Sequence, residues 1–333
     1  MTRRERMARA TMGASVLLVL AGLSGCAAGG AMTAAPAAAP VVIPPGAGPV
    51  TKPPPAPGRS CTASLPPMKP LPTVGHMPPG YLLTLQKRGH INVGVDQNTY
   101  RWAYRDGSGQ LVGFDIDMLR QVAIALFGPA HLDKTLRFVV VPNTDRSAAV
   151  ASGQVDIVAE TMTITCARWK DVNFSSVYYE AGQRVLVPAG SPITSVPGGL
   201  AGRRVCAVAG STSLDTLGRL PVTPPVIRWQ ATNQTDCLVL LQQGQVDAIS
   251  TDDTILVGMA AQDPAVHLVP GAAFSREPYG MAIAKGNSQL TEFVNAVLEK
   301  VRISMWAHLY TKWIGPVPPP PPTPTYLSNV SQS

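Results

Sequence analysis

The sequence predicts an α/β protein made of two similarly built lobes, each a mainly parallel sheet flanked by helices. Three observations carry this. Between residues 81 and 315, short β-branched runs alternate with helical stretches, the pattern of βαβ units. That span of about 235 residues is more than one ordinary core fills. Two segments also echo each other. "SGQVDIVAE" and "QGQVDAIST" each follow a helical stretch that ends at glycine and open a strand at Val-Asp, with Gly153 and Gly244 91 positions apart.

The elements follow in chain order. Residues 1–11, "MTRRERMARAT", are basic, and "MGASVLLVLAGLSG" is an apolar run too short to span a bilayer comfortably. It ends in "LSGC", with Ser24 and Gly25 before Cys26, which resembles the lipobox of bacterial lipoprotein signal peptides. Residues 1–25 are therefore expected to be a signal peptide and Cys26 a lipidated first residue, anchoring the chain on the extracytoplasmic face of the cell membrane. An uncleaved anchor helix is the alternative. Losing four arginines and one glutamate takes the formal charge from +7 to +4, so the basic balance belongs partly to the leader. No dense Lys/Arg patch interleaved with aromatics remains, and nucleic-acid binding has no footing.

Residues 26–80 are rich in Ala, Pro and Gly and read as a semi-extended tether; "PVPPPPPTP" opens a Pro-rich tail at 316–333. Between them, "HINVGV" (90–95) reads as a buried strand. "GFDIDMLRQVAIALF" reads as a helix with Asp115 as its N-cap and Ile116, Leu119, Ala123, Leu126 and Phe127 at helical spacing. "LRFVVV" (136–141), "VDIVAE" (155–160), "RVLV" (184–187), "RVCAVA" (204–209) and "VDAIST" (246–251) are further strands.

Besides Cys26, the chain carries Cys61, Cys166, Cys206 and Cys237, an even number for an oxidising compartment and so two expected disulfides. Three pairings are open. Cys206–Cys237, within one stretch of α/β pattern, is favoured, which leaves Cys61–Cys166 to staple the N-terminal segment to the body. No CxxC spacing occurs and the five histidines are scattered, so neither zinc nor any other cofactor is expected.

One stretch points to chemistry. In "TMTITCARWKDVNFSS", Thr161, Thr163 and Thr165 alternate out of an apolar strand and stop at Arg168, in a chain only 14% charged. Arg168 is either a structural arginine at a helix start or the grip on an anion.

A family likeness bears on that choice. "GFDIDM", "SGQVDIVAETMTITCARWKDVNFSSVYYEAGQRVLVP", "LAGRRVCAVAGSTS", "GQVDAISTDD", "YGMAIAKGN" and "YTKWIG" occur in order over residues 88–315. Together they resemble the extracellular solute-binding proteins of amino-acid ABC importers, the polar-amino-acid family. With the lipobox and paired cysteines, the likeness is to the glutamine- or glutamate-binding lipoproteins of mycobacteria and related actinobacteria. It implies a type II fold: two α/β lobes joined by two crossover strands, near 178–182 and 275–279, closing over a ligand. The first lobe would hold 81–177 plus 280–315 and the second 183–274.

The resemblance assigns Arg168 to the α-carboxylate of a free amino acid, Thr163 as its hydroxyl partner and Asp252 to the α-ammonium. A buried carboxylate needs a planar fork and further donors, which Arg168 suits. The backbone at Thr161 and Met162 lies where a crevice ligand belongs, and the N–H groups of Ser211 and Thr212 add anion-binding capacity at a helix start. Thr165 reads as core or cap, and Asp253 competes with Asp252 for the aspartate role. Trp102, Tyr104 and Tyr100 either wall the ligand or belong to the core. For the side chain, Arg146 matches an arginine aimed at a carboxylate in glutamate- and aspartate-binding relatives, and Arg101 offers a second cation. Asn143 and Thr144 stand where glutamine binders keep an aromatic, and Ala209 where they keep a lysine. Asp96 would orient an amide or ammonium or pair with Arg101, and Gln234 would add an amide. The expected ligands are glutamate and aspartate first, then asparagine and glutamine.

The expected partner is an inner-membrane ABC permease; a membrane sensor that prefers the closed form fits the same site. The chain is expected to be a monomer and not an enzyme. A dehydratase using Glu160 is the catalytic alternative, with one cleft carboxylate and no GxSxG, metal constellation or Walker loop behind it.

Overall fold

The computed structural model describes residues 40–56 and 61–328; the leader and Cys26 lie outside them. The first lobe is built on a five-stranded sheet in the order Leu136–Val140, Ile91–Val95, Ile157–Val158, Ala282–Ala284, Val172–Phe174. The first three strands are parallel, with Ile91 opposite Leu136 and Val93 opposite Ile157. Ala282–Ala284 runs against both of its neighbours. The second lobe carries six strands in the order Gly48–Pro49, Ile227–Ala231, Arg204–Val208, Ala248–Asp252, Gln183–Pro188, Val266–Leu268. Its three βαβ strands are parallel, and the others join antiparallel.

Both sheets are thus mixed rather than mainly parallel. The cause is the pair of crossing strands, Tyr179–Ala181 and Glu277–Tyr279, which pair antiparallel with Tyr179 opposite Tyr279. The strands that follow them, Gln183–Pro188 and Ala282–Ala284, each enter a sheet beside its last βαβ strand and inside a further strand. With no crossover helix to carry it back, the entering strand runs the other way.

Around the crossing strands the aromatics interlock. The Trp102 ring lies 4.8 Å from Tyr179 and 5.3 Å from Tyr279, edge to face, and is fully buried. Trp102 is core. The helix Phe114–Phe127 buries Ile116, Leu119, Ala123 and Leu126 as its spacing requires, but it starts behind Gly113 instead of Asp115. Gly113 has φ 136°, and a Cβ there would sit 2.1 Å from the Trp102 carbonyl, so no other residue fits. Asp115 lies inside the first turn, and its carboxylate is free to leave the helix.

The tether expectation changes for the described part of residues 26–80. Gly48–Pro49 extends the second lobe's sheet, and Lys52 and Pro55 offer their carbonyls to Arg228 and Arg219. Beyond it, Cys61 is bonded to Cys166 in the first lobe, and Ser64 is buried while donating to the Phe174 carbonyl at 2.6 Å. The tail packs too: Tyr326 bridges to Ser64, and Arg302 Nε donates to the Pro322 carbonyl at 2.8 Å. Proline-rich chain satisfies few hydrogen bonds within itself, so its carbonyls are left for neighbouring sheet edges and arginines. The second disulfide is Cys206–Cys237, joining a central strand to the helix Gln234–Gln242. No helix among the described residues is long and apolar enough to cross a membrane.

Candidate functional site

The parallel strands of both lobes end at one cleft, and their last residues furnish it. Asp96 follows Ile91–Val95, Glu160 and Thr161 follow Ile157–Val158, Ser211 and Thr212 follow Arg204–Val208, and Asp252 closes Ala248–Asp252. The lobes are shut on each other. Arg168 of the first lobe donates to the Gly210 carbonyl of the second at 3.0 Å, and Asn98 Nδ2 donates to Asn233 Oδ1 at 3.3 Å. Gly210, at φ +73°, lets the backbone pass Thr144 so closely that a Cβ would lie 3.2 Å from Thr144 Cα.

Two adjoining pockets lie in the cleft, sharing Asn143, Thr161 and Gln234, and a wider one borders Arg168 together with Thr163, Gly210, Thr212 and Glu277. The first gathers Arg146, Arg168 and Asp252 with Ser211, Thr212 and Ser213. Both guanidinium groups donate to backbone carbonyls: Arg168 to Thr163 at 2.6 Å and to Gly210, Arg146 to Asn143 and Glu160, each at 3.0 Å. Neutral carbonyls fix their direction without neutralising them. Burial, and then the neighbouring Arg146 charge, pull the Arg168 pKa below its usual range. Asp252 is 4% exposed; Tyr279 Oη donates to its Oδ2 and Ser213 Oγ to its Oδ1 at 3.5 Å. Burial, then Glu277, hold its carboxyl well above the usual range. Asp253 turns away, accepting from the Gly182 and Thr254 amides at the crossing strand. The cleft aspartate is therefore Asp252.

The second pocket is acidic. It has a volume of about 130 Å³ and is walled by Asp96, Glu160, Asn98, Asn233 and Gln234 among others. Burial raises both carboxyls, Glu160 well above the usual range despite the opposing Arg146 charge. Glu160 Oε2 and Gln234 Oε1 are buried without a hydrogen-bond partner.

Not every expected site residue presents a free group to the cleft. Thr163 Oγ1 and Thr212 Oγ1 both donate to Glu277 Oε2 at 2.7 Å, tying the two lobes to a crossing strand. Thr161, strained at φ 41°, gives its amide to Asp115 Oδ2 at 2.8 Å. Met162 is buried in the first lobe's core. Thr165 caps the short helix Cys166–Trp169. Ser211 caps the helix Thr212–Leu217, its hydroxyl held by Val208 and Leu214 and its amide by the Val208 carbonyl. Arg101 lies elsewhere: it donates to the Ile314 carbonyl at 3.1 Å, in an outer groove with Tyr100 and Tyr104. It is not paired with Asp96, whose oxygens accept from Gln97 N and Thr99 Oγ1.

Three residues at the site were not read as part of it from sequence. Asp115 is fully buried and accepts from Thr161 N and, at 2.7 Å, from Tyr178 Oη; burial raises it to about 7. Glu277 and Tyr279 reach the cleft from a crossing strand. The available signal was a carboxylate on the apolar phase of a helix, and one inside the short "REPYG" link.

The arrangement can neutralise a small zwitterion: two guanidinium forks for a carboxylate and a buried aspartate for an ammonium, in one pocket between the lobes. Among the described residues, no group of three His, Cys, Asp or Glu side chains could hold a metal ion.

Comparison with known proteins agrees with this geometry. Residues 91–316 match the bacterial extracellular solute-binding proteins, family 3. The ABC transporter glutamine-binding protein GlnH of Bacillus subtilis is 37% identical over 70% of this chain and 84% of its own. The glutamate-binding protein GluB of Corynebacterium efficiens is 29% identical over 66% and 76%. The solved L-cysteine solute receptor of Neisseria gonorrhoeae superposes with a TM-score of 0.65 at 25% identity, covering 71% of this chain and 94% of its own. With its two closing α/β lobes and matched length, this chain belongs to the bacterial extracellular solute-binding proteins, family 3.

Proposed function

We propose that this protein is an extracytoplasmic, lipid-anchored receptor that captures a free polar amino acid, of the glutamate/glutamine or aspartate/asparagine kind, and delivers it to an ABC permease. One observation carries the reading: the buried Arg146 and Asp252 and the half-buried Arg168 converge from two lobes on one pocket, so both poles of an α-amino acid have a counter-charge within reach. Arg168 takes the α-carboxylate, with Arg146 beside it, and Asp252 takes the α-ammonium. Thr163, Thr212 and Glu277 report closure, since their bonds link the two lobes through a crossing strand. The acidic pocket next door receives the side chain; one water needs about 10–15 Å³, so about 130 Å³ suits a metabolite and not a peptide.

The relatives support binding over catalysis, because their names describe glutamine- and glutamate-binding proteins. Cys26 at the end of the leader is the lipid-anchor site, and labelled palmitate incorporated by the wild type and lost in Cys26→Ser tests it. The receptor reading itself is tested by thermal shift of the detergent-purified full chain against the standard amino acids. A ligand that binds only the folded form raises the melting temperature. No shift with any of them refutes it. Ligand-dependent copurification with a permease tests delivery; recovery of a membrane sensor instead would replace the partner.

A further inference from the structure

Both guanidinium forks of the cleft are aimed by one turn of backbone. Arg146 donates to the Glu160 carbonyl at 3.0 Å, and Arg168 to the Thr163 carbonyl at 2.6 Å. Between those carbonyls the chain passes through Thr161, at φ 41°. That left-handed conformation is an outlier for a β-branched residue, and it persists only where the surroundings over-determine it. The far side of the turn is fixed near the second crossing strand: Ile164 N donates to the Pro278 carbonyl at 2.8 Å and Gly280 N to the Met162 carbonyl at 3.1 Å. The strained residue itself is held by Asp115, whose Oδ2 accepts from the Thr161 amide at 2.8 Å.

Asp115 serves this turn and not its own helix. It lies in the first turn of Phe114–Phe127, where an acidic side chain ordinarily complements the positive end of the helix. Its two bonds instead reach 46 and 63 residues along the chain, to Thr161 N and to Tyr178 Oη, which donates to Oδ1 at 2.7 Å from beside the crossing strand Tyr179–Ala181. Asp115 is fully buried and stands in the wall of neither cleft pocket. Its hold on Thr161 does not depend on charge. With a proton on Oδ1, Tyr178 Oη becomes the acceptor and Oδ2 still faces the amide.

Resting on the reading that Arg146, Arg168 and Asp252 bind an amino acid, we propose that Asp115 is a positioning residue of the cleft: it clamps the strained Thr161 turn and so holds the Glu160 and Thr163 carbonyls where they direct both arginines. Without the clamp, the empty protein relaxes at Thr161, and a ligand must restore the strained form to engage the arginines. Affinity then drops by the strain released, about tenfold for a residue of this kind. Glycine adopts a positive φ at little steric cost, so Thr161→Gly leaves nothing to clamp.

The test is calorimetric titration of the detergent-purified full chain with glutamine, asparagine, glutamate and aspartate, following whichever binds the wild type most tightly. Asp115→Ala should weaken it about tenfold or more. Asp115→Asn, which keeps a carbonyl oxygen for the Thr161 amide, should stay within about threefold of wild type. In the Thr161→Gly background, Asp115→Ala should cost about threefold or less. A residue needed only for the fold would lower the ligand-free melting temperature and cost the same affinity in either background, which overturns the proposal. So does a folded Asp115→Ala that binds within about threefold of wild type, or an Asp115→Asn as weak as Asp115→Ala. If Asp115→Ala does not fold by itself, Thr161→Gly should restore both its fold and its binding. A double variant that stays unfolded or does not bind overturns the clamp while leaving the receptor reading in place. If none of the four amino acids binds the wild type, the receptor reading falls and this inference falls with it.

Discussion

Replacing Arg168 by alanine separates the ligand role from the structural one. In the closed form its guanidinium bridges the lobes, donating to Thr163 O at 2.6 Å and Gly210 O at 3.0 Å. Two bonds to backbone carbonyls contribute roughly 1 kcal/mol each to the fold. Part of that is offset because burial already disfavours the charge, as its lowered pKa shows. The ligand-free melting temperature should therefore fall by only a few degrees, since about 1 kcal/mol moves a domain of this size by roughly 2–4 °C. Binding should suffer far more. Removing one partner of a buried, hydrogen-bonded ion pair costs about 3–5 kcal/mol, or roughly 150- to 5,000-fold in Kd. Arg168→Lys keeps the charge but loses the planar fork, and should fall between, about 10- to 100-fold weaker than wild type. Isothermal titration with the amino acid that gives the largest thermal shift reads all three proteins. A folded Arg168→Ala that binds within about fivefold of wild type would refute the reasoning, because an unpaired carboxylate in a shut cleft is not tolerated so cheaply.

Three other outcomes are expected. Asp115 titrates at about 7 in the folded chain against 3.8 for an ordinary aspartate, so its contribution is fully present below pH about 4 and lost as pH rises through 7. That difference is on the order of 4 kcal/mol, and urea melts should show wild type losing stability relative to Asp115→Asn across this window; parallel curves would refute it. Replacing both Cys206 and Cys237 by serine opens a loop of 31 residues and should cost about 3–4 kcal/mol in denaturant unfolding; a cost under about 1 kcal/mol would show that the helix and strand hold each other without it. Gly210→Ala places a Cβ against Thr144 only when the lobes are shut, at a positive φ that costs about 1–2 kcal/mol for alanine. Its ligand affinity should drop about tenfold or more, and an unchanged Kd would mean that the ligand binds without this contact.

Much of the architecture was legible because it is periodic or local. Alternating strands and helices, the Val-Asp echo after Gly153 and Gly244, and the pairing of four cysteines all depend on residues near one another or on simple counting. The run from Thr161 to Arg168 announced a strand end and a charge, and the structure puts both in the cleft. The errors share one character. Asp115 read as a cap because its position in the helix is visible and its partner, the Thr161 amide 46 residues away, is not. The residues near 48 and 64 read as tether because their composition is that of free chain, while the edges that hold them lie far along the sequence. Arg101 was counted as a cleft cation and the fold turned it outward to Ile314, whereas Arg146 does line the cleft, beside Arg168.

The sequence by itself determined the two-lobed α/β plan, the family and the inventory of charges available to a cleft. Only the tertiary structure decided how those charges are sorted, with arginines and Asp252 in one pocket and Asp96 and Glu160 in the next. The reason is physical: hydrophobic period and turn chemistry act along the chain, whereas Coulomb attraction and the cost of lost water depend on distance through space. Those distances exist only once the crossing strands have brought the lobes together.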